Sequence, residues 1–246
     1  MSSILITGIS GLIGSNLASQ LSLKGEKIIG TGRKNLNFKD KNIKYYSVDL
    51  NNNNELEKVF INNDISSIVH LASPTDHFSF SEKKEETLKT NIKAIQNIVN
   101  LSAKYKVKKI IYTSSGKVYG ETKDNDISES NDINPTNNLG EIKKISEDTL
   151  RTLTENLDIT VIITRIFNVY GPDQKKTFVI PYILSQINND EILLGNLNDE
   201  RDYIYVDDVV SAIYLLIKKE FPEKFIIFNI GSSKSSTVND IIKIIE

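Results

Sequence analysis

The first residues of the chain that could do chemistry are three glycines placed to receive an anion. The apolar run Ile4–Thr7 leads straight into Gly8-Ile9-Ser10-Gly11-Leu12-Ile13-Gly14, which opens a stretch of helical period. Glycines at a strand-to-helix turn permit positive φ and let backbone amides approach a pyrophosphate, while the helix N-terminus faces it with partial positive charge. The spacing is Gly-x-x-Gly-x-x-Gly rather than the tighter Gly-x-Gly-x-x-Gly, and its place directly after a strand gives it weight that a lone triplet lacks. The next apolar run ends in Thr31-Gly32-Arg33-Lys34, where an acidic residue would accept hydrogen bonds from a free ribose 2′-hydroxyl. Two cations and a small hydroxyl suit a 2′-phosphate instead, so the segment favours NADP, with NAD over a solvated basic turn as the alternative. Asp49-Leu50 ends the third run, where a carboxylate can meet an adenine amine or simply face solvent.

The elements that must carry these residues are legible as repeats of strand and helix. Runs rich in β-branched residues occur at Ile4–Thr7, Lys27–Thr31, Ile43–Val48, Ser67–Leu71, Lys109–Ser114, Thr160–Arg165 and Phe225–Ile230. Stretches of helical period lie between them: Leu12, Leu17 and Leu21 share one face, and Leu88, Ile92, Ile95, Ile98 and Val99 another. The pattern predicts an α/β fold, a doubly wound parallel sheet covered on both faces. A change of texture after Pro172 divides the chain into a Rossmann-like domain, 1–171, and a smaller substrate-facing lobe, 172–246, interleaved with the last strand and helices of the sheet.

Composition narrows the chemistry. The 246 residues carry 30 basic and 32 acidic side chains, a net charge of −2, which argues against nucleic acid or a membrane recruited by bulk charge. There is no cysteine, so thiolate catalysis and cysteine metal sites are excluded, and with only His70 and His77 as imidazoles no metal centre is expected. The N-terminus lacks the form of a signal peptide and no apolar run approaches the roughly 18 residues of a membrane span, so the cytoplasm is the expected location.

The order of motifs resembles that of the extended short-chain dehydrogenases/reductases, specifically the nucleotide-sugar epimerase/dehydratase family. Thr7-Gly8 to Gly14 is similar to the family's cofactor turn, and His70-Leu71-Ala72 to the segment that passes the cofactor. Ser114-Ser115-Gly116-Lys117-Val118-Tyr119-Gly120 resembles the active-site segment, and Arg165 to Pro172 and Arg201 to Asp208 resemble two signatures of the substrate half, with Asn229-Ile230-Gly231 beyond. The resemblance implies hydride exchange between a nicotinamide and a sugar carbon. In it Ser115 falls on the hydroxyl that bonds the reacting oxygen, and Lys143 on the lysine that holds the nicotinamide ribose and lowers the pKa of a catalytic tyrosine. Cofactor contacts are implied for Gly8, Ser10, Gly11, Leu12, Ile13, Gly14, Arg33, Asp49, Leu50, Leu71, Ala72 and Lys143. Asn168 and Arg201 would hold the nucleotide's phosphates; the plainer alternatives are a turn residue and a salt bridge to Asp202 or Asp208. Asp207-Asp208 reads as helix N-capping, His70 as structural, and the loop Pro74-Thr75-Asp76-His77 as a place for sugar contacts.

One position breaks the pattern. Pro135 to Lys143, with Glu147 beyond, follows the family on both sides, yet Leu139 stands where the tyrosine belongs, and no tyrosine occurs between Gly120 and Thr160 to replace it. Lys143, Tyr119, Asp76 or His77 could substitute, the proton could come from water or substrate, or the chain could be a catalytically silent cofactor- and nucleotide-binding protein. Loss of a general acid/base typically costs about two to four orders of magnitude rather than all activity, which keeps an enzyme in front. Dehydratases of the family carry Asp-Glu where this chain has Gly116-Lys117, which leaves a 4-epimerase or keto-sugar reductase. The resemblance also implies a homodimer formed through helices near 82–104 and 139–156. Family members run well past Asn-Ile-Gly, so the substrate lobe is expected to be small and truncated at its C-terminal side.

Overall fold

The computed structural model describes residues 2–74, 80–121, 126–189 and 191–245. In chain order its first half contains β1 (Ser3–Thr7), α1 (Leu12–Leu23), β2 (Ile28–Gly32), β3 (Ile43–Ser47), α2 (Asn53–Ile61), β4 (Ile65–His70), α3 (Lys84–Lys104), β5 (Lys109–Ser115), a 3-10 helix at Gly116–Tyr119 and α4 (Asn138–Thr154). Then come β6 (Thr160–Ile166), β7 (Asn168–Tyr170), α5 (Val179–Leu184), β8 (Glu200–Tyr205), α6 (Val206–Lys218), β9 (Phe225–Ile230), β10 (Ser235–Thr237) and α7 (Val238–Ile245). All seven expected strands join one parallel sheet, in the order β3-β2-β1-β4-β5-β6-β9. The direction of winding reverses between β1 and β4, and such a switch opens a crevice at the carboxyl ends of the strands.

The strands read as unbroken apolar runs because both faces are covered. On β1, Leu5 packs into the layer beneath α2, α3 and α4 with Leu56, Val59, Ile98 and Leu150. Its neighbours Ile4 and Ile6 enter the opposite layer beneath α1 and α6 with Leu17, Leu21, Val209 and Ile213. Each such side chain contributes roughly 1.5–3 kcal/mol on full burial. The apolar stripe of α3 divides: Ile95, Ile98 and Val99 are buried in the core, whereas Leu88 and Ile92 line an outer groove of about 620 Å³ with Leu153. A second, three-stranded sheet, β10-β8-β7, packs with α5 and α7 around Ile183, Val238 and Ile241. Among the described residues no helix is long and apolar enough to cross a membrane, and no group of three or more His, Asp or Glu side chains could hold a metal.

Helix ends follow local chemistry. Asn52 and Asn137 cap α2 and α4, accepting from the amides of Glu55 at 3.3 Å and Gly140 at 2.9 Å. Thr237 and Asp240 cap α7 reciprocally. The expectation that Asp207 and Asp208 cap α6 fails: Tyr205 occupies the N-cap without a side-chain bond, and both carboxylates lie in the first turn, where they face the helix dipole. At the other end of α6, buried Lys109 donates its ammonium to the carbonyls of Leu216, Ile217 and Lys219 at 3.2, 2.8 and 2.7 Å. Lys109→Met is expected to lower stability by about 2–3 kcal/mol, read as a lower urea midpoint with an unchanged m-value, because three carbonyls lose a charged donor.

Candidate active site

The sequence-selected residues gather along the carboxyl edge of the large sheet. The turn after β1 holds Gly8 at φ +71, and a Cβ there would lie 2.9 Å from the backbone of Ala72, so Leu71-Ala72 after β4 closes directly against it. A Cβ on buried Gly14 would lie 2.4 Å from the Gly8 carbonyl oxygen, which is the close approach the third glycine permits. Gly11 N-caps α1 with no side-chain hydrogen bond and no acidic residue in the first turn. The amides of Leu12 and Ile13 at that end are therefore open to an anion, and Ser10 beside them is exposed. These features fit a dinucleotide pyrophosphate.

The ribose-reading segment is divided by burial. Thr31 is 1% exposed, and its hydroxyl has no partner among the described residues. Arg33 and Lys34 are exposed beyond it, so they are the part of the segment that can meet a 2′-phosphate. Asp49 is exposed and its Oδ1 accepts from the amide of Asn51 at 3.0 Å, while Leu50 is buried and its carbonyl accepts from Asn97 at 2.7 Å.

On α4, Lys143 is buried, with Nζ donating to the Thr113 carbonyl at 2.7 Å and lying 3.4 Å from the Tyr112 hydroxyl. Burial pushes its pKa down to about 8, opposed by the Glu147 charge one turn on. Ser115 ends β5 two residues beyond Thr113, with Oγ accepting from the Lys117 amide at 3.2 Å. Leu139 lies in the first turn of α4, four residues before Lys143. Tyr119 is spent elsewhere: its hydroxyl donates to Asn229 Oδ1 at 2.7 Å and accepts from Arg165 Nη1 at 2.9 Å. Asp76 and His77 lie outside the described residues.

The Arg165 contact belongs to a buried cluster that the motif reading did not assemble. Glu147 accepts from Arg165 Nε at 3.2 Å and Nη2 at 2.8 Å, and also from the Ser114 hydroxyl. The available signal was an arginine within an apolar strand, which requires a partner.

Asn168 on β7 and Arg201 on β8 share a cleft of about 370 Å³ with Phe178, Leu194 and Tyr203. Asn168 Nδ2 donates to the Asp202 carbonyl at 3.1 Å. The salt bridge of Arg201 runs to Asp199, at 2.8 Å, rather than to Asp202 or Asp208. The carboxylate of Asp202 instead accepts from the amides of Ser232 at 2.8 Å and Ser233 at 3.0 Å. Lys117, which carried no role in the sequence reading beyond disfavouring a dehydratase, has its pKa lowered by burial and then by Arg201, opposed by Asp199.

His70 is buried against Thr7. Its Nδ1 lies 2.7 Å from Thr7 Oγ1 and its ring is 3% exposed. Burial, followed by the Lys143 charge, pushes the imidazole down to about 3.

With the glycine turn at the switch point of a seven-stranded parallel sheet and Lys143 bonded to the strand that Ser115 ends, the arrangement is that of an extended short-chain dehydrogenase/reductase. The chain belongs to the NAD dependent epimerase/dehydratase family, whose sequence profile matches residues 4–231. It is 30% identical to a dTDP-D-glucose 4,6-dehydratase of Dictyostelium discoideum over 98% of this chain, and spans 60% of that relative's length. Among solved structures, UDP-glucose 4-epimerase of Thermotoga maritima with UDP-glucose superposes at a TM-score of 0.88 with 28% identity, covering 98% of this chain and 80% of that one. MoeE5 in complex with UDP-glucuronic acid and NAD gives 0.88 at 26% identity with the same coverage.

Buried His70 makes acid stability predictable. Its folded-state pKa is depressed, so the stabilisation is full above its ordinary 6.5 and is lost as pH falls towards about 3. Between pH 7 and pH 5 the wild type is expected to lose about 2 kcal/mol more unfolding free energy in urea than His70→Asn. Equal losses would show that the imidazole protonates without opposition in the folded chain.

Proposed function

We propose that this chain binds NAD(P) and a nucleotide-activated sugar and exchanges a hydride at a sugar carbon, C4 being the favoured position, as a 4-epimerase or keto-sugar reductase. The observation that carries this reading is the convergence on one sheet edge of the glycine turn, the Ser115–Lys143 region and the Asn168–Arg201 cleft, in a chain of this family. The bound nicotinamide would supply the hydride donor and acceptor. Leu12 and Ile13 would offer their amides to the pyrophosphate, and Lys143 would hold the nicotinamide ribose. Ser115 bonds the reacting oxygen, while Asn168 and Arg201 hold the diphosphate, for which a guanidinium fork gives paired hydrogen bonds. Residues 1–171 then form the cofactor part and 172–246 the part that chooses the sugar. Exposed Arg33 supports NADP as the preferred cofactor, although MoeE5 carries NAD. The outer groove at Leu88, Ile92 and Leu153 is the surface on which a second copy would pair helices α3 and α4 to make a homodimer.

A second reading, a silent binding protein, is favoured by Leu139 alone. Nicotinamide absorbance and NMR of products across a panel of nucleotide sugars and their 4-keto forms separate the two. The wild type is expected to turn over at least one, and Leu139→Tyr to keep that turnover. Turnover confined to Leu139→Tyr would establish the silent reading. For the cofactor, Arg33→Ala is expected to weaken NADPH binding about 10-fold or more while leaving NADH nearly unchanged, measured by fluorescence titration. Equal weakening would count against NADP.

A further inference from the structure

The absent phenol leaves a specific question, because charge develops on the sugar oxygen as hydride leaves and some group must exchange its proton. Tyr119 is already bound at both faces of its hydroxyl by Asn229 and Arg165, and the guanidinium also lies 4.9 Å from the ring centre. Lys143 is directed at Thr113 and Tyr112. Lys117 is placed differently. It stands two residues after Ser115, whose Oγ fixes its amide, and its carbonyl lies against the start of α4: a Cβ on Gly140 would be 2.3 Å from that oxygen. Lys117 therefore adjoins the residue that follows Leu139. Its side chain is half-buried and lies in the fields of Arg201 and Asp199, which line the cleft with Asn168. The backbone of Lys117 thus packs against the residue next to Leu139, and its side chain lies in the fields of Arg201 and Asp199.

Resting on the nucleotide-sugar reading, we propose that Lys117 is the acid/base of this site, in the role that a tyrosine fills elsewhere in the family. In the oxidative direction the neutral Nζ takes the hydroxyl proton and becomes an ammonium. The carbinol C–H bond breaks with its electron pair passing to the oxidised nicotinamide, and the oxygen's electrons form the carbonyl. In the reductive direction the ammonium returns the proton to the oxygen as hydride reaches carbon. Burial and the neighbouring guanidinium both favour the neutral amine, which a proton acceptor requires. Among the described residues, the charged groups on the neighbouring elements are committed: Asp199 pairs with Arg201, Glu141 on α4 pairs with Lys84, and Lys143 is bonded to Thr113.

The test combines kinetics with a titration that needs neither cofactor nor substrate. Lys117→Met, and Lys117→Arg, which keeps the charge but cannot give up its proton at working pH, are expected to lower kcat about 100-fold or more with KM changed little. Leu139→Tyr in the Lys117→Met background is expected to recover most of it. In the unliganded wild type, uniformly ¹³C,¹⁵N-labelled and with the Lys117 side-chain signal assigned by through-bond correlation from its own backbone amide, the amine is expected to titrate below the ordinary lysine range. A wild type that turns over nucleotide sugars while Lys117→Met stays within about threefold of it overturns this role and leaves the reading intact. So does an ordinary lysine titration. A wild type with no turnover on any nucleotide sugar overturns the reading and this role with it. If neither variant folds, the titration decides.

Discussion

Arg165 is the next-to-last residue of β6, with 1% of its surface exposed, on the face it shares with Ile163 and Val161, which offer nothing to a cation. An unpaired guanidinium in such a place costs several kcal/mol, so its partner must arrive with both oxygens and in the plane of the fork. Glu147 does so from α4. That requirement fixes the rotation and height of α4 over β5 and β6, and Lys143, one turn earlier on the same face, is carried over the Thr113 carbonyl as a consequence. The third nitrogen of the fork holds the Tyr119 hydroxyl, which holds Asn229 on β9, so the 3-10 helix after Ser115 and the far edge of the sheet are tied to the same pair. A buried pair of this kind adds little net stability over apolar residues of the same volume. Its contribution is orientation, and most of what orients the candidate site passes through it.

The seven strands were legible because a parallel sheet covered on both faces needs continuous apolar, β-branched runs, and such runs stand out from helical periodicity in a sequence. The glycine turn was legible for a similar reason: position in the chain and residue type both follow from the close approach seen at Gly8 and Gly14. What failed were partnerships set by alternation and by distance. Arg201 and Asp202 are neighbours in sequence, but consecutive residues of a strand point to opposite faces, so Asp202 turns to the amides of Ser232 and Ser233. Asp199, two residues before Arg201, shares its face and takes the guanidinium. Lys109 and the end of α6 are joined across more than a hundred residues, and no local pattern announces that a lysine at a strand start will cap a helix.

Leu139 is a chemical change set in an unchanged frame. Contacts elsewhere place the start of α4: Asn137 caps it, Gly140 lets it approach the Lys117 carbonyl, the Glu141–Lys84 pair steadies its outer side, and Glu147 anchors its third turn. None of these contacts uses the side chain at 139, so a phenol is not needed for the helix to arrive where it does. Lys143 accordingly keeps its position without the group it serves in the resembled enzymes. Held by the Thr113 carbonyl and a neutral hydroxyl in a desolvated pocket, its ammonium has lost part of its hydration, and among the described residues the charge that favours it is Glu147, one turn away. Low dielectric strengthens its attraction for any negative charge that forms within reach. In the proposed reaction this frame would stabilise a developing alkoxide, and what Leu139 removes is the proton, whose exchange then falls to Lys117.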